Sequence, residues 1–260
     1  MYILPGEKRG RIKREVTLIN LFIRLFWPVK LIIFPSRCQL CSELLENPGE
    51  KVVCGRCLSR MEIHRGEVCQ ICGRFLYHQS GQKSICLECE HNPPIFSYHR
   101  SLGLYSGNLK DLIILFKYKG FEILSQPLAA ALYKKYQKEG IFSGINYILP
   151  VPLHRQKQKA RGFNQAELLA EELSRLSGLP WSKKILVKIK NTPAQVSLEA
   201  SEREKNLQGA FAVKQPDKVK GKAFLLIDDV FTTGSTIREC ARVLSQSGAR
   251  EVRALTIARA

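Results

Sequence analysis

The stretch Phe224-Leu225-Leu226-Ile227-Asp228-Asp229-Val230-Phe231-Thr232-Thr233-Gly234-Ser235-Thr236 decides how this 260-residue chain reads. Lys222 to Ile227 is a near-continuous apolar run, the pattern of a strand buried on both faces of a parallel sheet. Beyond it, Ile237, Ala241 and Leu244 recur at helical spacing and Gly248 supplies the stop. In open α/β sheets the junction at the carboxyl end of a strand is where ligands bind. Here it carries the hydroxyls of Thr232, Thr233, Ser235 and Thr236, and Gly234 lets backbone approach closely. A helix start adds free N–H groups and a positive dipole end. Those parts make a cradle for a phosphate monoester. Asp228 and Asp229 would repel that phosphate at contact distance, so they suit sugar hydroxyls one sugar length away. Either half of the string occurs in ordinary strand–turn–helix junctions; the ordered whole is what points to a ligand.

Working outward, the region from residue 95 onward has the alternation of an α/β domain. Ser101–Tyr105, Tyr147–Leu149, Ile185–Ile189 and Val252–Ile257 read as further strands. Leu109–Phe116 and Ile123–Tyr136 read as helices. Another helix begins at Asn164, an N-cap with Glu167 three residues on, close to a capping box, and ends at Gly178-Leu179-Pro180. Strand–helix–strand succession implies parallel pairing.

The segment 38–94 is different: short of long apolar runs, it holds eight of the nine cysteines in four C-x-x-C pairs. These are Cys38/Cys41, Cys54/Cys57, Cys69/Cys72 and Cys86/Cys89. So small a core needs a staple, and two C-x-x-C pairs about a dozen residues apart have zinc-ribbon spacing. Two structural zinc sites follow, each with four cysteine ligands. Uniform spacing favours sequential pairing, because each ribbon then closes locally; a cross-brace of pairs one with three and two with four also satisfies the count. A redox motif would be expected once, not four times. Cys240 reads as a small, partly buried helix residue, and His64, His78, His91 and His99 read as surface or structural.

Charge is uneven. The chain carries +18 with a pI near 9.7, which suggests an anionic partner. Residues 1–37 hold eight Lys+Arg against two acids, 38–94 six against seven, and 95–260 twenty-seven against fourteen. The cysteine-rich middle is therefore a poor first choice for contacting DNA. The leader, residues 1–37, is basic and then apolar. Arg24, Lys30 and Pro28 interrupt the apolar run and no small-residue cleavage site follows. A segment docked on the protein's own core is favoured; membrane contact through residues 16–35 by a surface-lying helix is the alternative. Lacking a secretory signal, the chain is expected in the cytoplasm, where cysteines hold metal rather than disulfides.

Taken together, the central string, the four C-x-x-C pairs, Pro150-Val151-Pro152-Leu153, Arg161-Gly162-Phe163-Asn164-Gln165, Thr192-Pro193-Ala194-Gln195 and Asn206-Leu207-Gln208-Gly209-Ala210-Phe211 resemble the ComF family. These are competence-associated, phosphoribosyltransferase-like proteins of bacteria. The resemblance runs from about residue 34 to the last residue; the long leader departs from it. It implies a type I phosphoribosyltransferase-like parallel sheet with flanking helices, preceded by a double zinc-ribbon module, with domains at 1–37, 38–94 and 95–260. It implies a site for phosphoribosyl pyrophosphate (PRPP) over Asp228, Asp229, Val230, Phe231, Thr232, Thr233, Gly234, Ser235 and Thr236. Asp228 and Asp229 would hold the ribose 2′- and 3′-hydroxyls and serve catalysis, and Thr232–Thr236 the 5′-phosphate. His154, Arg155, Lys157, Lys159 and Arg161 are candidate pyrophosphate charges, and Gln195, Arg203 and Asn206 lie on the family's flexible loop. Mg²⁺ would accompany PRPP, bound mostly by the ligand's own oxygens.

The implied function is a PRPP-binding phosphoribosyltransferase-like protein acting in DNA uptake during natural transformation. A non-catalytic protein that handles single-stranded DNA, with a vestigial or sensory PRPP site and DNA-uptake proteins as partners, is the other reading. The clusters His154–Arg161 and Lys183, Lys184, Lys188, Lys190 exceed what pyrophosphate needs and suit strand phosphates. Only 8% of residues are aromatic, with no aromatic–basic interleaving, which argues against a base-stacking platform. Gene regulation ranks behind both, for want of a recognition-helix motif.

Overall fold

A computed structural model describes residues 36–45, 51–76, 84–192 and 206–260. The leader through residue 35, together with Gln195 and Arg203, lies outside the described residues. The chain divides into two compact units between Arg60 and Met61. The boundary expected after residue 94 therefore falls inside the larger unit, which contains the second ribbon.

The smaller unit is built around the first cysteine pairs, with one short helix, α1 (Gly55–Ser59). The larger unit begins with the second ribbon and α2 (Leu87–His91). It continues through β1 (Tyr98–Leu104), α3 (Gly107–Tyr118), α4 (Ser125–Tyr136) and β2 (Tyr147–Pro150). Then come α5 (Arg155–Arg161), α6 (Gln165–Ser177) and a hairpin, β3 (Leu186–Lys188) with β4 (Phe211–Val213). It closes with β5 (Ala223–Phe231), α7 (Ser235–Gln246) and β6 (Glu251–Arg259).

The main sheet has the order β1-β6-β5-β2, every neighbour parallel. Its central strands are buried on both faces. Phe224, Leu226, Leu149, Val252 and Ala254 share one core with Ile237, Ala241 and Leu244 of α7 and with Cys69, Cys72, Cys86 and Cys89. Leu225, Ile227, Leu255 and Ile257, of the opposite parity, are fully buried too. On the sheet, α6 packs on β2 and β5, α3 on β1 and β6, and α4 on β1. The second ribbon thus serves as a covering layer beside α7, the role a helix has in most α/β sheets.

Three differences from the sequence reading have physical causes. The central strand does not stop at Ile227; it pairs through Asp228↔Thr256 and Val230↔Ala258 to Phe231↔Arg259. Periodicity ended with the apolar run, but backbone pairing with β6 did not. Ile185–Ile189 contributes only three strand residues, in an antiparallel hairpin apart from the main sheet. At α6, Asn164 Oδ1 accepts from the Ala166 N–H at 3.1 Å as an N-cap should, while Glu167 receives Asn164 Nδ2 at 3.5 Å and pairs with Lys183 at 3.2 Å.

Candidate functional site

Because β5 remains a strand through Asp228 and Asp229, the two carboxylates point to opposite faces. Asp229 is buried and meets Lys117 of α3, Nζ to Oδ2 2.6 Å. Burial alone would lower the Lys117 ammonium, but the Asp229 carboxylate outweighs it and holds Lys117 above its ordinary value. Asp228, on the other face, is only partly exposed. Removal of its carboxyl from water and repulsion by Asp229 push it up to about 7, against the pull of Lys117, the Asp229 N–H and Lys188. Cys240 of α7 lies near enough to feel that charge; it is fully buried, not partly so, and burial drives its thiol well up.

The residues after β5 turn onto α7 as the string implied. Gly234 caps the helix with φ 78°, and a Cβ there would fall 2.3 Å from Phe231 Cζ. Only glycine fits, on both counts. Thr233 Oγ1 and Ser235 Oγ form a short hydrogen bond, and the Ser235 N–H points to Thr233 Oγ1 at 3.4 Å. No side chain caps the start of α7, so its first N–H groups face the loop.

Phe231 anchors this loop to the ribbon. His99 of β1 stacks on its ring at 4.1 Å and the Arg259 guanidinium lies 4.6 Å from its centroid. Both also reach the Cys72 carbonyl, Arg259 Nη1 at 2.7 Å and His99 Nδ1 at 3.0 Å. A carbonyl only accepts, so Nδ1 carries the His99 proton and Nε2 faces the Thr256 hydroxyl at 2.9 Å. Burial, offset in part by the Cys72 carbonyl, lowers His99 to about 3, and the ring is neutral. A cavity of about 420 Å³ opens between the loop (Thr232, Thr233, Ser235) and the ribbon (Cys72, Arg74, Glu88).

The basic residues divide. His154 caps α5, accepting from the Gln156 N–H at 3.4 Å, and Arg155 and Lys159 are exposed. Arg161 is tied up: it donates to Gln165 Oε1 at 2.7 Å, and Gln165 Nε2 donates to the Lys117 carbonyl at 3.2 Å. Arg161-Gly162-Phe163-Asn164-Gln165 therefore positions α3's end as well as α6. Lys157 and Lys188 lie close enough to repel, and burial lowers both. Lys188, counted in the sequence only as part of a charge cluster, faces Asp228.

The eight cysteines form two sets, Cys38/Cys41/Cys54/Cys57 and Cys69/Cys72/Cys86/Cys89, each with its sulfurs within 4.8 Å of one another. Pairing is sequential, not cross-braced. The nearest sulfurs recorded, Cys41–Cys54 and Cys72–Cys86, are 3.7 Å apart, far beyond a disulfide bond. The two sets repeat one plan: the Cys54 N–H points at Cys38 Sγ and the Cys86 N–H at Cys69 Sγ, each at 3.4 Å. Though burial opposes it, such N–H groups bring Cys38 down to about 6 and Cys69 to about 7, favouring the thiolates zinc requires. Four sulfurs leave no open position, so both sets fit structural zinc. Gly73 lets the second knuckle lie against β1: with φ 66°, a Cβ there would meet the His99 carbonyl at 2.4 Å.

Comparison with known proteins matches these parts. The double zinc ribbon domain matches residues 30–90 and the phosphoribosyl transferase domain residues 160–260. Competence protein F of Haemophilus influenzae is 31% identical over 231 residues, 87% of this chain and 98% of its own. The DNA utilization protein YhgH of Salmonella typhimurium is 30% identical over 234 residues, 88% and 99% respectively. Competence protein ComFC of Bacillus subtilis is 28% identical over 223 residues, 83% and 87%. The chain belongs to the ComF family. Among solved structures, adenine phosphoribosyltransferase from Saccharomyces cerevisiae aligns at TM-score 0.37 and 16% identity, over 56% of this chain and 73% of that one.

In this ComF-family chain the sheet, the hydroxyl-rich loop after β5 and both ribbons fall where the motifs put them. Sequence reasoning missed Lys117, and the signal for it was present. Phe116-Lys117-Tyr118-Lys119-Gly120 puts a lysine at the end of an apolar helix, on the side that faces β5. Among the described residues no third carboxylate, His or Cys joins Asp228 and Asp229 into a metal cluster. A Mg²⁺ ion arriving with PRPP would therefore draw on ligand oxygens and water. No helix among the described residues is long and apolar enough to cross a membrane.

Proposed function

We propose that this protein binds PRPP at Asp228–Thr236 and acts, in the cytoplasm, on the DNA-uptake pathway named for its competence relatives. The single observation that carries the reading is the junction of β5 and α7: two carboxylates, then a hydroxyl-rich loop on an uncapped helix start. Thr232–Thr236 and the α7 N–H groups bind the 5′-phosphate, and Asp228 and Asp229 accept the ribose hydroxyls. Asp229 reaches them from its ion pair with Lys117. Asp228 loses its proton as the donor's cations arrive. Mg²⁺ supplies charge neutralisation on the pyrophosphate. The chain's own part is to align the ribosyl carbon with its leaving group and to place positive charge near it. Lys157 and Lys188, both drawn from water, do the latter more strongly than the exposed Arg155. In the transfer, the C1′–O bond breaks, pyrophosphate leaves with the electron pair, and a nucleophile bonds to C1′.

Calorimetry with PRPP and Mg²⁺ tests the reading. Binding is expected in the wild type and lost in Asp228→Asn with Asp229→Asn. No heat from the zinc-loaded wild type at millimolar PRPP would refute it. A second reading is favoured by the exposed cations Arg155, Lys159 and Lys184: the protein hands on incoming single strands and its PRPP site is vestigial. If transformation proceeds undiminished with the double aspartate variant, transfer chemistry has no part in uptake and this second reading stands.

A further inference from the structure

The cavity beside the phosphate loop has a charge that PRPP does not use. Its walls bring Arg74 of the second ribbon, Arg238 of α7 and Arg259 of β6 around one carboxylate, Glu88. Three guanidiniums face one carboxylate across a space of about 420 Å³, within the usual size of a small-molecule pocket, with the Cys72 thiolate of the zinc set offsetting part of the Arg259 charge.

Glu88 sits where an anion would. Arg238 Nη2 lies 3.1 Å from Glu88 Oε1, and Arg74 holds the other carboxylate oxygen. Glu88 is half exposed on its side chain, so it is free to turn outward. Arg238 is itself out of place for a helix: it stands near the start of α7, where a cation opposes the dipole, and α7's first turn holds no acidic residue, so Glu88 of the ribbon is its counter-charge. A bound anion removes that conflict. Arg259 is fixed, nine-tenths buried and held to the Cys72 carbonyl at 2.7 Å. Phe231 is already stacked by His99 and Arg259, so the cavity reads charge, not a base.

The order of groups identifies the ligand. Asp228 and Asp229 do not line the cavity; Thr232, Thr233 and Ser235 form one wall of it and the arginines another. We propose that the cavity takes the second phosphate of a ribonucleoside 5′-di- or triphosphate. The first phosphate lies on Thr232–Thr236 and the ribose hydroxyls reach Asp228 and Asp229. PRPP has a single phosphate on C5′, which takes the hydroxyl wall and leaves the arginine wall unused, so such nucleotides exclude PRPP while gaining contacts it lacks. This rests on the loop being the 5′-phosphate site, and it adds a competing class of ligand to that site. Since the base has no stacking partner here, adenine and guanine nucleotides bind alike.

The test is calorimetry on the full-length, zinc-loaded chain with AMP, ADP and PRPP. ADP is expected to bind at least about tenfold tighter than AMP, the gain of one charge-assisted phosphate contact, and to displace PRPP. Arg74→Gln with Arg238→Gln should bring the ADP-to-AMP ratio close to one, and Glu88→Gln should raise it. Equal affinity of AMP and ADP for the wild type overturns the proposal, and so does a ratio unmoved by the double arginine variant. PRPP binding with AMP and ADP indistinguishable sinks the cavity and spares the PRPP reading. Tight ADP with no PRPP binding does the reverse.

Discussion

Asp228 and Asp229 are neighbours in sequence and opposites in environment. Asp229 has a lysine; Asp228 has a raised pKa and no salt bridge among the described residues. A carboxyl raised in the fold binds its proton more tightly there than when unfolded. Its stabilising effect is complete at low pH and is lost as pH rises through about 7. Asp228→Asn should therefore raise the melting temperature of the ligand-free protein most at pH 8, less at pH 5, and leave it nearly unchanged below pH 3.8, read from paired thermal melts. Lys117→Met should be costly, about 3 kcal/mol, because it strands a buried carboxylate. Adding Asp229→Asn should recover much of that loss, and a double-mutant cycle by urea denaturation measures the coupling. Gly234→Ala should cost about 2–4 kcal/mol, since the new methyl needs both a positive φ and the space of the Phe231 ring. The sequence named both aspartates and the glycine. It offered Lys117 as a lysine at the end of an apolar helix but not its partner, because an ion pair between α3 and β5 spans 112 positions, Lys117 to Asp229, and leaves no local period.

Among elements, the ribbons show what pattern reveals and what only packing decides. C-x-x-C spacing announced both sites and allowed two pairings; folding chose the sequential one. That the two ribbons have different fates was not legible. Their local hydrogen bonds match, yet Cys41 is exposed while all four cysteines of the second set are buried, in the core that contains α7. A chelator should accordingly strip zinc in two phases, the first ribbon's well before the second's, as followed by a chromogenic zinc indicator. Cys41→Ser should abolish only the fast phase. Cys72→Ser should in addition weaken phosphate-ligand binding, because the Cys72 carbonyl is the shared anchor of His99 and Arg259 beneath Phe231. Equal release rates for both ions would contradict this account. Strand limits were misjudged for a related reason: β5 continues through two acids because its edge is hydrogen-bonded to β6, a partner no window of residues can see.

At the scale of the molecule, composition and packing divide the chain at different places. Cysteine content changes near residue 94, whereas packing changes near residue 60. The second ribbon is compositionally a zinc module and mechanically part of the sheet domain, which is how its Arg74 and Glu88 come to line the cavity beside the β5–α7 loop.

The strand order has a consequence in time. In the main sheet β1 pairs only with β6, and its last residue, Leu104, precedes the first of β6, Glu251, by 147 positions. At about 5–20 residues per second of synthesis, β1 waits roughly 7–30 s for its neighbour. During that interval both cysteine sets are already made and can take up zinc, while an apolar strand edge stands open beside them. Metal capture thus precedes sheet closure on the ribosome, and a nascent chain that stalls before Glu251 presents a loaded ribbon on an unfinished sheet. Ribosome-bound chains arrested at that point should hold two zinc ions yet remain open to protease between residues 98 and 150, and close only when β6 emerges.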